Sequence, residues 1–119
     1  MMSLPIPEGR FSRLPLQTLA EDRSSWPELR PGVRQLVLRD GPGPGERVSL
    51  LAYDAGARVP RHRHTGDETL FILEGSQEDE TGLHERGTWA LNPEGSYHSV
   101  HSPDGCLVLI HWRAPVEFV

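Results

Sequence analysis

Short runs of alternating apolar and polar residues cover most of the chain from Val33 onward. A period of two predicts β-strands with one buried face. Gly, Pro, Asn or Asp bounds each run, and no segment carries an apolar helical stripe for three turns. The predicted strands are Val33–Arg39, Arg47–Tyr53, Arg61–His64, Glu68–Leu73, Leu83–Glu85, Thr88–Leu91, Ser96–His101 and Cys106–Trp112. Many short strands indicate an all-β sandwich or barrel with little helix.

The first thirty residues differ from the rest because they are rich in Pro, Arg and Ser and show no sustained period. We expect residues 1–30 to form an extended arm with one short strand at Leu16–Leu19. Such an arm would pack on the barrel or on a partner subunit. Residues 31–119 then form the barrel, since 119 residues suffice for one domain and exclude a two-domain enzyme.

Composition excludes several classes of partner. Twelve Lys and Arg against seventeen Asp and Glu give a net charge of -5, and no basic stretch favours nucleic acid. No apolar run approaches the roughly eighteen residues that cross a bilayer, so we expect no membrane insertion. Cys106 is the single cysteine and the chain starts without an apolar signal segment, so we expect a cytoplasmic protein.

The spacing of four residues predicts a metal site. His62 and His64 are separated by one residue in a predicted strand, so their imidazoles share a face with Cα atoms about 6.5 to 7 Å apart. Glu68 lies on the aliphatic face of the next strand, where a carboxylate requires a compensating cation. His98 offers a further ligand from a distant strand. This donor set suits one divalent transition metal ion, with Fe, Zn, Mn, Ni and Co all compatible.

The remaining candidates have less specific patterns. We expect His101 and His111 to be structural, and His84 to be structural or at the pocket mouth. The acidic run at residues 78–80 predicts a solvated hairpin tip, with pairing to arginines of a partner subunit as the alternative. Tyr53 and Trp89 are the first candidates for substrate contact, against an alternative role in the core or a dimer.

Two segments carry a family resemblance. Residues 56–75, GARVPRHRHTGDETLFILEG, resemble the first cupin motif at each fixed position, and residues 87–98, GTWALNPEGSYH, resemble the second. From Trp26 to Trp112 the chain is similar to the ChrR-type cupins. The resemblance implies a cupin (RmlC-like) jelly-roll β-barrel with one metal ion bound by His62, His64, Glu68 and His98.

The ChrR-type cupins include the sensor-like C-terminal domain of ChrR anti-sigma factors and small bacterial dioxygenases that cleave diketones or hydroxylated aromatic ketones. The resemblance therefore implies a non-haem metal(II)-dependent oxygenase acting on a small carbonyl or aromatic compound. A non-catalytic metal or ligand sensor is one alternative, and a small-molecule or sugar isomerase is another. Because the first hundred residues lack cysteine, we expect no zinc-binding module for a sigma factor. A small-molecule ligand and a homodimer are the expected partners.

Overall fold

The computed structural model describes residues 14–119. Within this range the chain is almost entirely β-strand, with one short helix and one 3-10 turn at Arg23–Ser25. The elements are α1 (Leu16–Ala20), β1 (Glu28–Arg30), β2 (Val33–Asp40), β3 (Arg47–Tyr53), β4 (Arg58–His64), β5 (Glu68–Asp79), β6 (Gly82–Glu85), β7 (Trp89–Asn92), β8 (Tyr97–His101), β9 (Cys106–Trp112) and β10 (Val116–Phe118). No helix among these residues is long and apolar enough to span a membrane.

The strands form two antiparallel layers that share β5. One layer has the order β1-β2-β3-β9-β5-β7, and the other has the order β6-β5-β8-β4-β10. The first half of β5 pairs with β9 and β7, whereas the second half pairs with β6 and meets β8. The layers curl into a half-barrel, and the predicted all-β barrel with little helix is confirmed.

The central strands of the first layer, β2, β3 and β9, are largely buried on both faces, as the pattern along β3 shows. Leu50 and Ala52 point into an outer cluster with Trp26, while Leu51 points into an inner cluster with Ile72. A strand whose two faces are both covered reads as a nearly continuous apolar run, as SLLA does here. The inner cluster lines the barrel interior and supports the strands that carry the histidines.

The strand predicted at Leu16–Leu19 is wrong, because this segment forms α1. Leu16, Leu19 and Ala20 have the spacing of one helical face, and all three pack on the outer cluster beside Trp26. A single helical turn is too short to show an apolar stripe over three turns, which is the pattern that predicts a helix. Residues 14–30 thus pack on the chain's own barrel, while the rest of the predicted arm lies outside the described residues.

Strand β5 is longer than predicted because Gly75 lies within it instead of ending it. The register shifts between Ile72 and Glu74, which marks a β-bulge, and Gly75 has φ of 72°. A Cβ atom at Gly75 would lie 2.0 Å from the carbonyl oxygen of Gly105. The bulge therefore requires glycine for both its backbone conformation and its close approach to the next strand.

We expect Gly75→Ala to lower the free energy of unfolding by about 1–3 kcal/mol more than Gly87→Ala does. Both glycines have positive φ, 72° and 90°, so both variants carry a similar backbone penalty. A Cβ atom at Gly87 meets nothing within 4 Å, whereas one at Gly75 overlaps backbone atoms. Urea denaturation of the two variants measures the difference, and equal losses would contradict the steric argument.

Candidate metal centre

Two adjacent strands bring three of the four predicted ligands together. His62 and His64 lie on β4 and His98 on β8, and His62 is directly opposite His98 in the strand register. All three side chains are buried, and one ring nitrogen from each lies within 4.8 Å of the others. The three imidazoles thus have the mutual spacing of ligands to a single ion.

The period of two along β4 accounts for this arrangement. His62 and His64 face inward, while Arg61 and Arg63 point to the other face. Arg61 lies 3.9 Å from the carboxylate of Glu80 and Arg63 lies 4.0 Å from that of Glu117. Alternation therefore buries the imidazoles and leaves the guanidinium groups near the surface, as the sequence predicts.

Each of the three rings is oriented through its Nδ1 atom. The Nδ1 distances are 2.8 Å to Pro60 O for His62, 3.1 Å to Ser96 O and 2.9 Å to Ser96 Oγ for His64, and 3.1 Å to Asp79 Oδ2 for His98. A carbonyl or carboxylate oxygen only accepts, so Nδ1–H donates in each ring. Neutral rings of this tautomer present an unprotonated Nε2 atom, which is the form that binds a metal.

The Nε2 atoms of the histidines show whether these residues can hold a cation. Within residues 14–119, the buried side-chain nitrogen or oxygen atoms without a hydrogen-bond partner are Nε2 of His64 and Nε2 of His98. Leaving a buried polar atom unsatisfied costs about 1–3 kcal/mol. Two convergent nitrogen lone pairs beside a third imidazole are the donor set of a divalent transition metal, so the residues present fit such an ion.

Glu68 lies beside the three histidines, but it is not part of the cluster whose ligand atoms lie within 4.8 Å of one another. Its side chain is buried at the start of β5, where Asn92 Nδ2 donates to Oε1 at 3.0 Å and Trp112 Nε1 donates to Oε2 at 2.8 Å. Oε1 lies 3.6 Å from Nε2 of His64, beyond hydrogen-bond length. The structure thus places the predicted carboxylate ligand beside one imidazole and holds it there through two donors.

Glu68 and His64 shift each other's pKa. Burial alone would raise the pKa of Glu68, but His64 and Asn92 outweigh it and the pKa lies below its usual value. Burial would likewise lower the pKa of His64, yet the negative charge of Glu68 raises it above the usual value. His62 has a lowered pKa because burial dominates there. Glu68 is therefore ionised at neutral pH and would compensate the charge of a cation bound beside it.

The acidic run at residues 78–80 forms the predicted tip of the hairpin between β5 and β6, with Glu78 and Glu80 exposed, but the side chain of Asp79 is largely buried. Asp79 is at the inner end of β5, where Oδ2 meets His98 and Oδ1 accepts from the backbone and hydroxyl of Thr81. Oδ1 also lies 3.0 Å from Nε2 of His84. Burial opposes ionisation of Asp79, but these hydrogen bonds prevail and hold its pKa below the usual range. Glu80 accepts from the backbone and hydroxyl of Ser99.

Sequence reasoning missed Asp79 because Gly75 looked like the end of a strand. The signal was present, since Asp79 lies in phase with His98 once β5 continues through the bulge and pairs with β8. Ser96, Asn92 and Trp112 were missed because their contacts cross strands distant in sequence. Only the strand order brings these residues to the histidines and Glu68.

A cavity of about 310 Å³ opens onto the centre, with His62, Glu68 and His98 in its wall. Tyr53, one of the two predicted substrate contacts, also lines it. Trp89 does not, because it is 62% exposed on β7. Most of the wall is apolar; its aliphatic and aromatic residues include Leu29, Val33, Leu51, Val59, Leu70, Val100, Ile110, Trp112, Val116 and Phe118.

The other histidines have partners outside the group. His84 contacts Asp79, His101 lies 3.8 Å from Glu78, and His111 lies 2.9 Å from Glu46. Cys106 is buried in the inner cluster, and burial raises the pKa of its thiol to about 11. The cysteine therefore behaves as a small apolar side chain.

Comparison with known proteins defines the family. The family model described as the ChrR Cupin-like domain matches residues 16–117, nearly all of the described chain. The chain belongs to the ChrR cupin-like domain family. It is 33% identical over 96 residues to the anti-sigma-E factor ChrR of Cereibacter sphaeroides, which covers 78% of this chain and 44% of that protein. The chain thus spans less than half the length of this ChrR relative.

Two solved structures extend the comparison. The complex of SigE with the anti-sigma ChrR from Rhodobacter sphaeroides matches at 23% identity and a TM-score of 0.66, covering 88% of this chain and 70% of that chain. An acetylacetone dioxygenase from Acinetobacter johnsonii matches at 18% identity and a TM-score of 0.69, covering 74% and 64%. At these identities the likeness establishes the cupin fold, which confirms the predicted fold class.

We expect Asp79→Ala to weaken cation binding about 10- to 100-fold, the usual effect of removing the partner of a ligating imidazole. Without the carboxylate, His98 loses the acceptor that fixes its tautomer. Competition of Co²⁺ with a chromophoric chelator measures the affinity, and ¹⁵N NMR of His98 reports its tautomer in the metal-free protein. Glu78→Ala is the matched control, since its side chain is exposed and meets only His101. Equal affinity in Asp79→Ala and Glu78→Ala would contradict this role.

We expect Co²⁺ affinity to fall as pH is lowered from about 8 to about 6, because a proton and the cation compete for Nε2 of His64. The pKa of His64 is raised above its ordinary value of 6.5, so the loss begins above that pH. Chelator competition at several pH values measures it. His111→Ala should leave the curve unchanged, and an affinity that is constant across this range would refute the competition.

Proposed function

We propose that this chain is a non-haem metal(II)-dependent oxygenase of a small carbonyl or aromatic compound. The observation that carries the proposal is the convergence of three buried imidazoles, two with unpartnered Nε2 atoms, beside a largely apolar cavity whose wall includes His62 and His98. His62, His64 and His98 would hold one divalent ion. Glu68 stays a predicted fourth ligand, since each of its oxygens has a further lone pair.

A redox-active ion such as Fe(II) would supply dioxygen chemistry at this position, whereas Zn(II), Mn(II), Ni(II) and Co(II) fit the same donors. The chain's own residues bind the ion and exclude water from the cavity. Asp79, Ser96 and the carbonyl of Pro60 hold the imidazoles in the binding tautomer. Tyr53 stays protonated at neutral pH because burial raises its pKa, so its hydroxyl can donate a hydrogen bond to a carbonyl ligand.

The similarity to the acetylacetone dioxygenase supports a carbonyl substrate, because acetylacetone is a small diketone and the two proteins share a fold. A cavity of about 310 Å³ suits a molecule of this size. We leave Trp89 out of the proposed substrate site, since it stands outside the cavity.

A metal or ligand sensor is the second candidate. The observation that favours it is the 33% identity to the anti-sigma-E factor ChrR, together with the match to ChrR in complex with SigE. A sensor uses the same bound ion and cavity, but ligand binding changes a protein contact and consumes no oxygen. The predicted isomerase has no comparable observation in its favour.

A homodimer stays a proposal as well. Phe71, Trp89 and Leu91 are 37%, 62% and 48% exposed on neighbouring strands β5 and β7. An exposed apolar cluster on an edge strand is typical of a surface that pairs with another chain.

We expect Fe(II)-loaded protein to consume oxygen in the presence of acetylacetone or a hydroxyacetophenone, as measured with an oxygen electrode. The variant combining His62→Ala and His64→Ala should lose bound metal and oxygen uptake together, because it lacks two of three imidazoles. His101→Ala combined with His111→Ala is the matched control and should retain both. Elemental analysis per chain reports the metal independently of turnover.

Two results would redirect the proposal. Full iron loading without oxygen uptake on any of these compounds would reject the oxygenase and favour the sensor. Unchanged metal content in the His62→Ala and His64→Ala double variant would show that the site assignment is wrong.

A further inference from the structure

One cationic side chain in the cavity wall has no anionic partner in the described part of the chain. Arg30 ends β1 and lines the cavity that contains His62, Glu68 and His98. The arginines that do form ion pairs among residues 14–119 are Arg23, Arg47, Arg61 and Arg63. Arg30 instead lies over the ring of Phe118, with 4.4 Å between its Cζ atom and the ring centroid.

The Phe118 ring links this guanidinium to the metal centre. The same ring lies 5.6 Å from the imidazole of His62, so Arg30 and a predicted ligand contact one aromatic side chain. Arg30 also acts on Tyr53, since its charge lowers the pKa of the phenol against the larger effect of burial. The guanidinium therefore lies close to the polar groups inside the cavity, and stacking on Phe118 restricts its orientation.

The cavity also has an excess of positive charge. Its charged lining residues are Arg30, Arg47 and Glu68, and Arg47 is paired with Asp40. Glu68 and Asp79, which contacts His98, together balance a divalent ion, so the positive charge of Arg30 is left without compensation. An anionic ligand is therefore favoured over a neutral one, because apolar walls strengthen the attraction between charges.

We propose that Arg30 is the specificity residue of this cavity and that the natural ligand is a small organic acid, with a carboxylate at Arg30 and a carbonyl or hydroxyl oxygen at the metal. A guanidinium presents paired N–H donors that match the two carboxylate oxygens. The inference rests on the proposed function for the metal ion, but it requires no oxygen chemistry. It applies to an oxygenase substrate and to a sensed ligand alike.

Two probes of equal shape test the proposal, para-acetylbenzoate and its neutral isostere para-acetylbenzamide. Both are titrated by calorimetry into protein loaded with Zn²⁺, so that no redox reaction accompanies binding. We expect the acid to bind wild-type protein about 10- to 100-fold more tightly than the amide, the usual contribution of a hydrogen-bonded charge. Arg30→Gln should abolish that preference, and Arg30→Lys should retain part of it.

The amide and the metal provide the internal controls. Arg30→Gln should bind Zn²⁺ as wild type does, which shows that the centre remains intact, and it should lose much less affinity for the amide than for the acid. Equal binding of acid and amide by wild type, no binding of the acid, or a preference that survives Arg30→Gln would each overturn the proposal. Acid binding with the expected preference but without oxygen uptake by the iron-loaded protein would reject the oxygenase and leave the role of Arg30 standing.

Discussion

The centre depends on three buried imidazoles, two of which have an Nε2 atom without a hydrogen-bond partner among residues 14–119. Each Nδ1 atom has an oxygen acceptor, which directs the opposite lone pair towards the other two rings. Imidazoles packed edge to face at centroid distances of 4.6 to 5.1 Å would otherwise be an unfavourable interior. A bound cation would remove that penalty, and the strands of the barrel hold the three rings in position.

Strand β5 provides both carboxylates around this cluster. Glu68 stands at its first residue and Asp79 at its last, and the bulge at Gly75 turns the strand from one layer into the other between them. The two charges act differently because their partners differ. Glu68 faces Nε2 of His64 and compensates charge at the centre, whereas Asp79 accepts from Nδ1 of His98 and controls a tautomer.

The period of apolar and polar residues predicted the parts of the structure that depend only on neighbours in sequence. The period of two identified the strands carrying His62, His64 and Glu68, because alternation alone decides which side chains face inward. It failed at α1, where one helical turn is stabilised by packing on Trp26, and at Gly75, where a bulge resembles a turn. Contacts such as Trp112 with Glu68 depend on strand order, which no local period encodes.

The two ends of the cavity differ in chemistry, and this difference has the same consequence for both candidate functions. One end holds neutral imidazoles and an ionised carboxylate, the middle is aliphatic and aromatic, and a guanidinium without a carboxylate partner among the described residues stacks on Phe118. Neutral ligands would fill the middle but leave the positive charge of Arg30 uncompensated. An anion with a carboxylate at Arg30, an apolar middle and a second oxygen at the metal would match all three regions. The cavity therefore favours a negatively charged ligand, whether binding leads to turnover or to a signal.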